Sequence, residues 1–320
     1  MAQARMFFSR ISPECSIEDG WIPVTQVLFN HILFATDFSP SSTTALPYAA
    51  AIARHFAAKL YLAYVIPTDA FELIPAAERD SALEHMRGHV EEQMAGLRAS
   101  SLLRGIPHDA LVDHGNVWPM MSAMVENRQI DLIVIGTHGR RGIEKLLLGS
   151  TAEEILRCSQ IPILMVGPDI RVPPETEVKP RRILYATDFS PESEPAMRYA
   201  YSLAKEYSAA LFFLHVTQDA YQEPGSTRMQ ADDFFRLRFM EKHWPWEEAI
   251  APECHIEFGV PAEFILELAS RLEIELIVLG VRGARFPRVA AHLPGPTAYD
   301  VVSNAPCPVL VIRGGSPVEK

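Results

Sequence analysis

The sequence contains one segment twice, and this repeat restricts the fold more than any other feature. A shift of 151 positions places residues 32–40 (ILFATDFSP) on residues 183–191 (ILYATDFSP), with eight of the nine residues identical. The agreement continues beyond this segment in pairs such as Ala45 with Ala196, Tyr48 with Tyr199, and Leu60 with Leu211. Chance does not give such agreement, so we interpret the chain as two copies of one domain, each of ordinary domain size.

The repeat divides the chain into five regions. We predict an N-terminal extension (1–27), domain 1 (28–168), a linker (169–178), domain 2 (179–314) and a C-terminal tail (315–320). Each domain is long enough to bury a core. The linker carries prolines and charges, which favour an extended and fairly stiff connector. Residues 1–27 lack the apolar run of a secretory signal, and both a partly disordered extension and an arm packed on a domain remain open.

Composition argues against several classes of protein. Hydrophobic residues make up 48% of the 320 residues, which is ordinary for a soluble globular protein. The net charge of −11 argues against a broad surface for nucleic acid or an acidic membrane, since such surfaces need clustered lysine and arginine. No apolar stretch reaches the length of a membrane-spanning helix. The four cysteines form no C-x-x-C pair, so we expect reduced thiols in a cytoplasmic protein.

Short apolar runs alternate with helical patterns in both domains. We predict strands at His31–Ala35, Lys59–Val65, His108–Val112, Leu132–Ile135, Ile161–Val166, Ile183–Ala186, Ala210–Val216, Cys254–Phe258, Leu276–Leu279 and Val309–Ile312. The first helix begins at Ser39-Pro40, a typical N-cap and first-turn pair, and further helices of domain 1 lie near 77–99, 118–127 and 150–158. This alternation predicts two tandem α/β domains, each with an open, five-stranded parallel sheet covered on both faces.

A glycine pattern follows the fourth predicted strand of domain 1. Gly136, Gly139, Gly149 and Ser150 form the spacing G-x2-G-x9-G-S directly after an apolar run. Glycines let the main chain approach a ligand closely and adopt positive φ, and N–H groups at a helix start attract phosphate. The spacing is that of neither the P-loop nor the G-x-G-x-x-G fingerprint. The pattern still indicates phosphate binding.

Together these segments resemble the universal stress protein family. The glycine pattern matches that family's nucleotide-binding motif, residues 32–40 are similar to its first strand and adenine-contacting acidic residue, and Ile161–Val166 is similar to its last strand. The resemblance covers almost everything after residue 27. It implies an adenine nucleotide alpha hydrolase-like, Rossmann-like fold and ATP with Mg²⁺ or Mn²⁺ carried on its phosphates. It also implies an intramolecular pseudo-dimer through the last strands of the two domains, with a further homodimer left open.

The predicted nucleotide site lies where the parallel strands of domain 1 end, since ligands bind at that edge of such sheets. We expect Asp37 to accept a hydrogen bond from adenine or ribose, the base to lie between neighbouring strand ends, and the phosphates to reach the last two glycines. The full predicted set is Ala35, Thr36, Asp37, Val65, Ile135, Gly136, His138, Gly139, Arg140, Gly149, Ser150 and Thr151.

Several of these residues also have purely structural interpretations. Asp37 is suited to capping a turn or the next helix. Ser150 and Thr151 are suited to capping the helix that follows them, which is compatible with phosphate binding at the same helix start. His138 and Arg140 either contact phosphate or face solvent.

Domain 2 departs from the glycine pattern. Gly280 and Gly283 keep the first spacing, but Gly295 follows eleven intervening residues rather than nine and precedes Pro296 instead of a serine. Proline lacks the N–H donor that a phosphate needs. Asp188 is retained, so the adenine side of a pocket can persist. Three arginines form either a substitute anion site or a solvated basic loop: Arg282, Arg285 and Arg288.

Two other features have weaker functional interpretations. His85, His89 and the nearby Glu92 have a helical spacing that can bind metal, although a solvated polar face is favoured because no third ligand is placed. The aromatic-rich segment 234–246 is interpreted as cover for the sheet of domain 2, with a partner-binding groove as the alternative. No nucleophile–histidine–acid arrangement is recognisable, so no catalytic residue is predicted.

The resemblance, together with the glycine pattern, favours an ATP-binding stress-response regulator, in which the nucleotide on domain 1 changes conformation or partner choice. A slow ATPase is the second hypothesis, and its turnover should be poor because no general base or arginine finger is evident. A nucleotide-free scaffold is the third. The degenerate loop of domain 2 favours this scaffold hypothesis, and the complete loop of domain 1 argues against it.

Overall fold

The computed structural model describes residues 27–71, 74–137, 148–168, 170, 178–217, 252–282 and 296–314. Ten strands lie in these ranges: β1 His31–Ala35, β2 Lys59–Pro67, β3 His108–Gly115, β4 Leu132–Gly136, β5 Ile163–Val166, β6 Arg182–Thr187, β7 Ala210–Thr217, β8 Glu253–Phe258, β9 Leu276–Arg282 and β10 Val309–Gly314. The α-helices are α1 Pro40–His55, α2 Arg79–Arg98, α3 Val117–Arg128, α4 Ser150–Cys158, α5 Glu194–Tyr207, α6 Pro261–Arg271 and α7 Pro296–Asn304. Short 3₁₀ turns lie at Thr68–Phe71, Ala76–Glu78 and Ser101–Leu103.

Each half of the chain forms a five-stranded sheet with the same strand order. The first half has the order β3-β2-β1-β4-β5, and the second has the equivalent order β8-β7-β6-β9-β10. Every pairing inside a half is parallel. The predicted α/β fold is therefore confirmed. In each half the first three strands are added towards one side of the sheet, and the last two are added on the other side of the first strand. This change of side, next to the first strand, is the switch point where such sheets bind ligands.

The two halves join through their last strands. β5 pairs antiparallel with β10, with Ile163 opposite Val311, Leu164 opposite Leu310 and Met165 opposite Val309. The two five-stranded sheets thus form one ten-stranded sheet. This pairing is the intramolecular pseudo-dimer that the resemblance implied.

Helices cover both faces of the sheet over two apolar clusters. Alternate residues of a strand point to opposite faces, so Phe34 lies in one cluster and Leu33 in the other. Each cluster contains residues of both halves, because β5 and β10 contribute to both. The halves therefore share their cores instead of burying separate ones. Within the described ranges, no helix is both long and apolar enough to cross a membrane.

Several strand boundaries differ from the prediction. Most strands run one to three residues beyond the predicted range, as β9 does in ending at Arg282 rather than Leu279, whereas β5 begins later than predicted. β5 begins at Ile163 because Ile161 belongs to a turn, in which its N–H donates to Ser159 Oγ at 3.2 Å and its C=O accepts from the same hydroxyl at 3.0 Å. β2 and β3 both run beyond their predicted ends, since the two strands stay paired as far as Pro67 and Gly115. The start of α1 agrees with the prediction, with Ser39 as its N-cap.

A cavity of about 370 Å³ lies between the two halves. It is flanked by α1 and α5 and has a mainly apolar lining that includes Tyr48, Leu164, Tyr207 and Leu310. No residue of the predicted nucleotide site that the structure describes contributes to this lining. The cavity is therefore separate from that site.

Cys307 is the least exposed of the three described cysteines, none of which forms a disulfide bond. Burial raises the pKa of its thiol to about 12, so only on the order of one molecule in ten thousand carries the reactive thiolate at pH 8. We expect iodoacetamide at pH 8 to alkylate the partly exposed Cys158 and Cys254 while leaving Cys307 unmodified, as read by peptide mass spectrometry. Urea-unfolded protein is the control, in which all three should react. Equal labelling of the folded protein would show that this core opens readily.

Candidate functional site

The turn after β1 holds the acidic residue of the predicted site. The main-chain N–H of Ser39 donates to Asp37 Oδ1 at 2.9 Å, and the N–H of Phe38 donates to Thr36 Oγ1 at 2.9 Å. The Thr36 and Ser42 hydroxyl oxygens lie 3.0 Å apart, and the N–H of Ser42 donates to Ser39 Oγ at 3.2 Å. The turn and the first turn of α1 thus form one hydrogen-bonded unit. This unit fixes Asp37 at the carboxyl edge of the sheet, so its turn-capping role is present in the structure.

Phe38 adopts a conformation that bulky residues rarely adopt. Its φ is 58°, in the left-handed region, and its ring stacks on Tyr64 with centroids 5.0 Å apart and planes 18° apart. Strained residues of this kind persist only where their surroundings hold them, and they concentrate at functional sites. The sequence interpretation missed both aromatic residues. An aromatic residue directly after the acidic one was the signal available for Phe38.

Gly136, at the end of β4, packs against the start of α1. A Cβ on this residue would lie 2.7 Å from the Ser41 carbonyl oxygen and 2.9 Å from its carbonyl carbon. Gly136 is buried and its φ is not positive. Of the two properties of glycine that suit a ligand loop, positive φ is thus not used at this position. The structure requires glycine here because two main-chain segments meet with no room for a side chain.

The start of α4 is attached to the end of β4. Thr137 continues the strand direction, since its N–H donates to the Val166 carbonyl at 2.9 Å, and its own carbonyl accepts from the N–H of Gly149 at 2.8 Å. Gly149 is the N-cap, with φ −62° and ψ 143° and no capping side chain. The predicted capping by Ser150 and Thr151 is thus corrected, because both residues already lie inside the helix. Gly149 also needs no positive φ, so what it contributes beside the helix start is the absence of a side chain.

This geometry leaves main-chain donors at the carboxyl edge of the sheet. The first N–H groups of an α-helix have no acceptor within the helix, and they lie at the positive end of its dipole. In α4 they belong to Ser150, Thr151 and Ala152, because the N–H of Glu153 is the first to bond back, to the Gly149 carbonyl at 2.8 Å. The arrangement can therefore bind an anion through backbone groups alone.

The structure brings the described site residues to one edge of three neighbouring strands. Ala35 ends β1 and pairs with Ala63 of β2 and Ile135 of β4. Ala35 and Ile135 are each only 6% exposed and belong to the apolar core, so only their main-chain atoms are available to a ligand. Val65 is partly exposed. His138, Gly139 and Arg140 lie outside the described residues.

Domain 2 repeats the turn of domain 1. Ser190 N–H donates to Asp188 Oδ1 at 3.0 Å, and Phe189 N–H donates to Thr187 Oγ1 at 3.0 Å. Phe189 also has a left-handed φ, of 57°. Its ring lies against His215, 4.6 Å between centroids, where domain 1 has a tyrosine. The adenine side of the predicted pocket is thus closely similar in the two halves.

The neighbouring parts of domain 2 differ. Tyr185, the single difference between the two nine-residue segments, donates its hydroxyl to the Ser193 carbonyl at 2.8 Å, and burial raises the pKa of this phenol to about 12. The helix after the turn begins only at Glu194, three residues later than the position equivalent to Pro40. The helix equivalent to α4 begins at Pro296, which lacks an N–H. Of the three arginines, Arg285 and Arg288 lie outside the described residues.

The candidate metal residues do not form a cluster. His85, His89 and Glu92 all lie on the exposed side of α2, and the described part of the chain contains no group of three side chains placed to hold a metal ion. The aromatic segment 234–246 lies outside the described residues.

Comparison with known proteins identifies the family. The sequence profile of the universal stress protein family matches residues 28–167 and 179–313. The chain belongs to the universal stress protein family. As a universal stress protein with two matched regions, it carries the two family units that the internal repeat predicted.

Individual relatives agree with this assignment. A universal stress protein of Methanocaldococcus jannaschii is 30% identical over 151 residues, covering 43% of this chain and 82% of that protein. Another, of Mycobacterium tuberculosis strain H37Rv, is 27% identical over 321 residues, covering 88% of this chain and 94% of that protein. The crystal structure of a universal stress protein from Archaeoglobus fulgidus superposes with a TM-score of 0.69 at 25% identity, covering 90% of this chain and all of that one. The similarity to the last two therefore extends across both halves.

Proposed function

We propose that this universal stress protein binds ATP in domain 1 and uses the nucleotide to change its conformation or its choice of partner. The observation that carries the proposal is the start of α4, whose free main-chain N–H groups lie at the sheet edge that holds the Asp37 turn. An acidic residue at one end of this edge and an anion-binding helix start at the other suit a ligand that has a base and a phosphate chain.

Each part of the edge has a proposed role. The Asp37 carboxylate accepts a hydrogen bond from the adenine amino group or the ribose, and Thr36 and Val65 line the base. The ribose lies beside Ile135 and Gly136 and contacts their main chain, since the Ile135 side chain is buried and Gly136 has none. The phosphates lie against the N–H groups and hydroxyls of Ser150 and Thr151. The proposal also includes His138, Gly139 and Arg140 in the phosphate loop.

A divalent cation would be held at this site mainly by the phosphates of the nucleotide and not by a set of protein ligands. Mg²⁺ commonly binds through substrate phosphates with few protein ligands, and the described residues offer no cluster of carboxylates or imidazoles. The Ser150 and Thr151 hydroxyls would supply the protein oxygens nearest to it. Mg²⁺ or Mn²⁺ would neutralise phosphate charge there, which matters in a chain whose net charge is −11.

Hydrolysis of the bound ATP would be slow at best. None of the described residues at the phosphate end of this edge is a carboxylate or imidazole placed to activate an attacking water, and the proposed arrangement puts Asp37 at the adenine end. The nucleotide-free scaffold is favoured by one observation, the Pro296 helix start, which concerns domain 2 alone. We therefore propose that domain 2 acts as the structural partner of a nucleotide-binding domain 1.

The two aspartates provide a matched test of this proposal. Asp37→Ala should weaken Mg·ATP binding by about five- to tenfold, because a hydrogen bond to the base or sugar contributes about 1 kcal/mol. Asp188→Ala removes the same turn hydrogen bond from domain 2 and should leave the affinity unchanged. Isothermal titration calorimetry on both variants measures the difference. Equal weakening by the two substitutions, or none by either, would contradict the assignment of the site to domain 1.

A further inference from the structure

Domain 2 contacts the C-terminal end of the domain 1 helix that carries the phosphate-binding N–H groups. Arg313, near the end of β10, donates from Nη2 to the carbonyl oxygens of Leu156, at 2.7 Å, and Arg157 in the last turn of α4. The last carbonyls of a helix have no partner within it and lie at the negative end of the dipole, so a guanidinium stabilises them. Burial lowers the pKa of Arg313, but a guanidinium remains charged throughout the neutral range.

Domain 2 also contacts the N-terminal end of the same helix. The N–H of Leu148 donates to the hydroxyl of Tyr299, on α7, at 3.1 Å. Leu148 directly precedes the N-cap Gly149 and is only 5% exposed. Its side chain belongs to the same apolar cluster as Val301 and Val302 of α7. Tyr299 therefore fixes the main chain at the point where it enters the proposed phosphate site.

The arginine contact has no counterpart in the opposite direction. Alignment of the last strands places Gly167 at the position equivalent to Arg313. A Cβ on Gly167 would lie 3.9 Å from the carbonyl oxygen of Ala305, which directly follows α7. The position thus faces the end of the domain 2 helix but offers no side chain to cap it. Among the described residues, domain 2 places an arginine on the end of the domain 1 helix α4, and domain 1 places none on the end of the domain 2 helix α7.

We propose that Tyr299 and Arg313 are positioning residues that set the affinity of domain 1 for ATP. This inference rests on the proposed function. The two contacts hold α4 and Gly149 in place before the nucleotide arrives, so binding does not have to order them. Domain 2 then serves the nucleotide site without binding the nucleotide. By linkage, ATP on domain 1 strengthens the contacts to Tyr299 and Arg313 by the same factor, which carries the nucleotide signal to the other half.

The test compares four single variants of the full-length chain. Tyr299→Phe removes one hydroxyl oxygen, and Arg313→Met removes the charge and the donors while keeping the length. Arg313→Lys is the rescue variant because it keeps a donor and a charge. Gly167→Ala is the control at the equivalent position, where the added Cβ meets only ordinary contacts, at 3.5 Å and beyond. Calorimetric titration with Mg·ATP is done where circular dichroism shows each protein fully folded.

We expect Tyr299→Phe and Arg313→Met each to weaken ATP binding by about three- to tenfold. Arg313→Lys should restore most of the affinity, and Gly167→Ala should bind as the wild type does. Hydrogen exchange measures the local opening of the Leu148 amide, which a change in overall stability alone would not affect selectively. The Leu148 amide should exchange faster in Tyr299→Phe, and ATP should slow its exchange in the wild type.

Three outcomes would overturn the inference in distinguishable ways. Wild-type affinity in both Tyr299→Phe and Arg313→Met, with ATP still bound, would reject it and leave the proposed function standing. A lowered melting temperature with unchanged ATP affinity would assign the two residues a structural role only. Failure of the wild type to bind ATP would reject the proposed function first. If Arg313→Met does not fold, Tyr299→Phe decides the matter by itself.

Discussion

Gly136→Ala is expected to lower the free energy of unfolding by about 3 kcal/mol, at the upper end of the usual cost of overpacking. The new methyl group would lie 2.7 Å from the Ser41 carbonyl oxygen, and a main-chain atom at a helix start cannot move aside as a side chain does. Relief of the clash must push α1 away from β4. Because the Asp37 turn is bonded to the start of α1, ATP affinity should fall as well. Urea unfolding and calorimetric titration measure the two effects.

Two other glycines serve as controls for this substitution. Gly96 lies on the exposed side of α2, and a Cβ added there would have no neighbouring atom within 4 Å, so Gly96→Ala should raise stability by about 0.5–1 kcal/mol through helix propensity. Gly280→Ala would place a methyl group 2.5 Å from the Ser193 Cα in domain 2. It should destabilise as strongly as Gly136→Ala without changing the ATP affinity of the folded protein. If Gly136→Ala were as harmless as Gly96→Ala, the close packing described at this edge would be wrong.

The double variant Gly149→Val, Ser150→Pro should abolish saturable ATP binding while preserving the fold. Proline is well tolerated at the first position of a helix, and the extended conformation of Gly149 suits both valine and a residue before proline. The variant loses one N–H donor and gains side chains where the phosphates would lie. It also makes the start of α4 similar to the Pro296 start of α7. Calorimetry should show no binding up to millimolar ATP, with the free energy of unfolding changed by no more than about 1 kcal/mol.

Ser150→Ala is the companion of this variant because it removes the hydroxyl but keeps the N–H. Its ATP affinity should fall by only about threefold. A complete loss in Ser150→Ala would show that the hydroxyl dominates the site rather than the backbone donors. Retained binding in the double variant would contradict the placement of the phosphates at the start of α4.

Much of the fold was predictable because parallel strands buried on both faces read as continuous apolar runs. The 151-residue repeat then required the second half to have the strand order of the first. The start of α1 was predictable for a local reason, since Ser39 and Pro40 carry the start signal in their own side chains. The pairing of β5 with β10 followed only from the family resemblance, because periodicity does not indicate which strand edges meet.

The candidate site was less predictable because its decisive contacts join residues far apart in sequence. The pattern identified Gly136 as a ligand-side glycine, but it did not indicate the close packing of this residue against Ser41. The hydroxyl pattern made Ser150 and Thr151 look like helix caps, but the Thr137–Gly149 hydrogen bond starts the helix earlier. Arg313 contacts Leu156 and Arg157 of α4, which lie 157 and 156 positions away in sequence. No local sequence pattern indicates such a contact.

Binding of one ATP per chain, rather than two or none, is tested most directly by calorimetric titration of the wild-type chain with Mg·ATP, and the Asp37 and Asp188 variants then assign the site to a domain. We expect saturable binding of a single ATP per chain, because among the described residues only the first half combines an aspartate turn with free donors at a serine-led helix start. Binding of two ATP per chain would contradict the structural role assigned to domain 2. Absence of binding up to millimolar ATP would contradict the nucleotide-binding function itself and favour the scaffold.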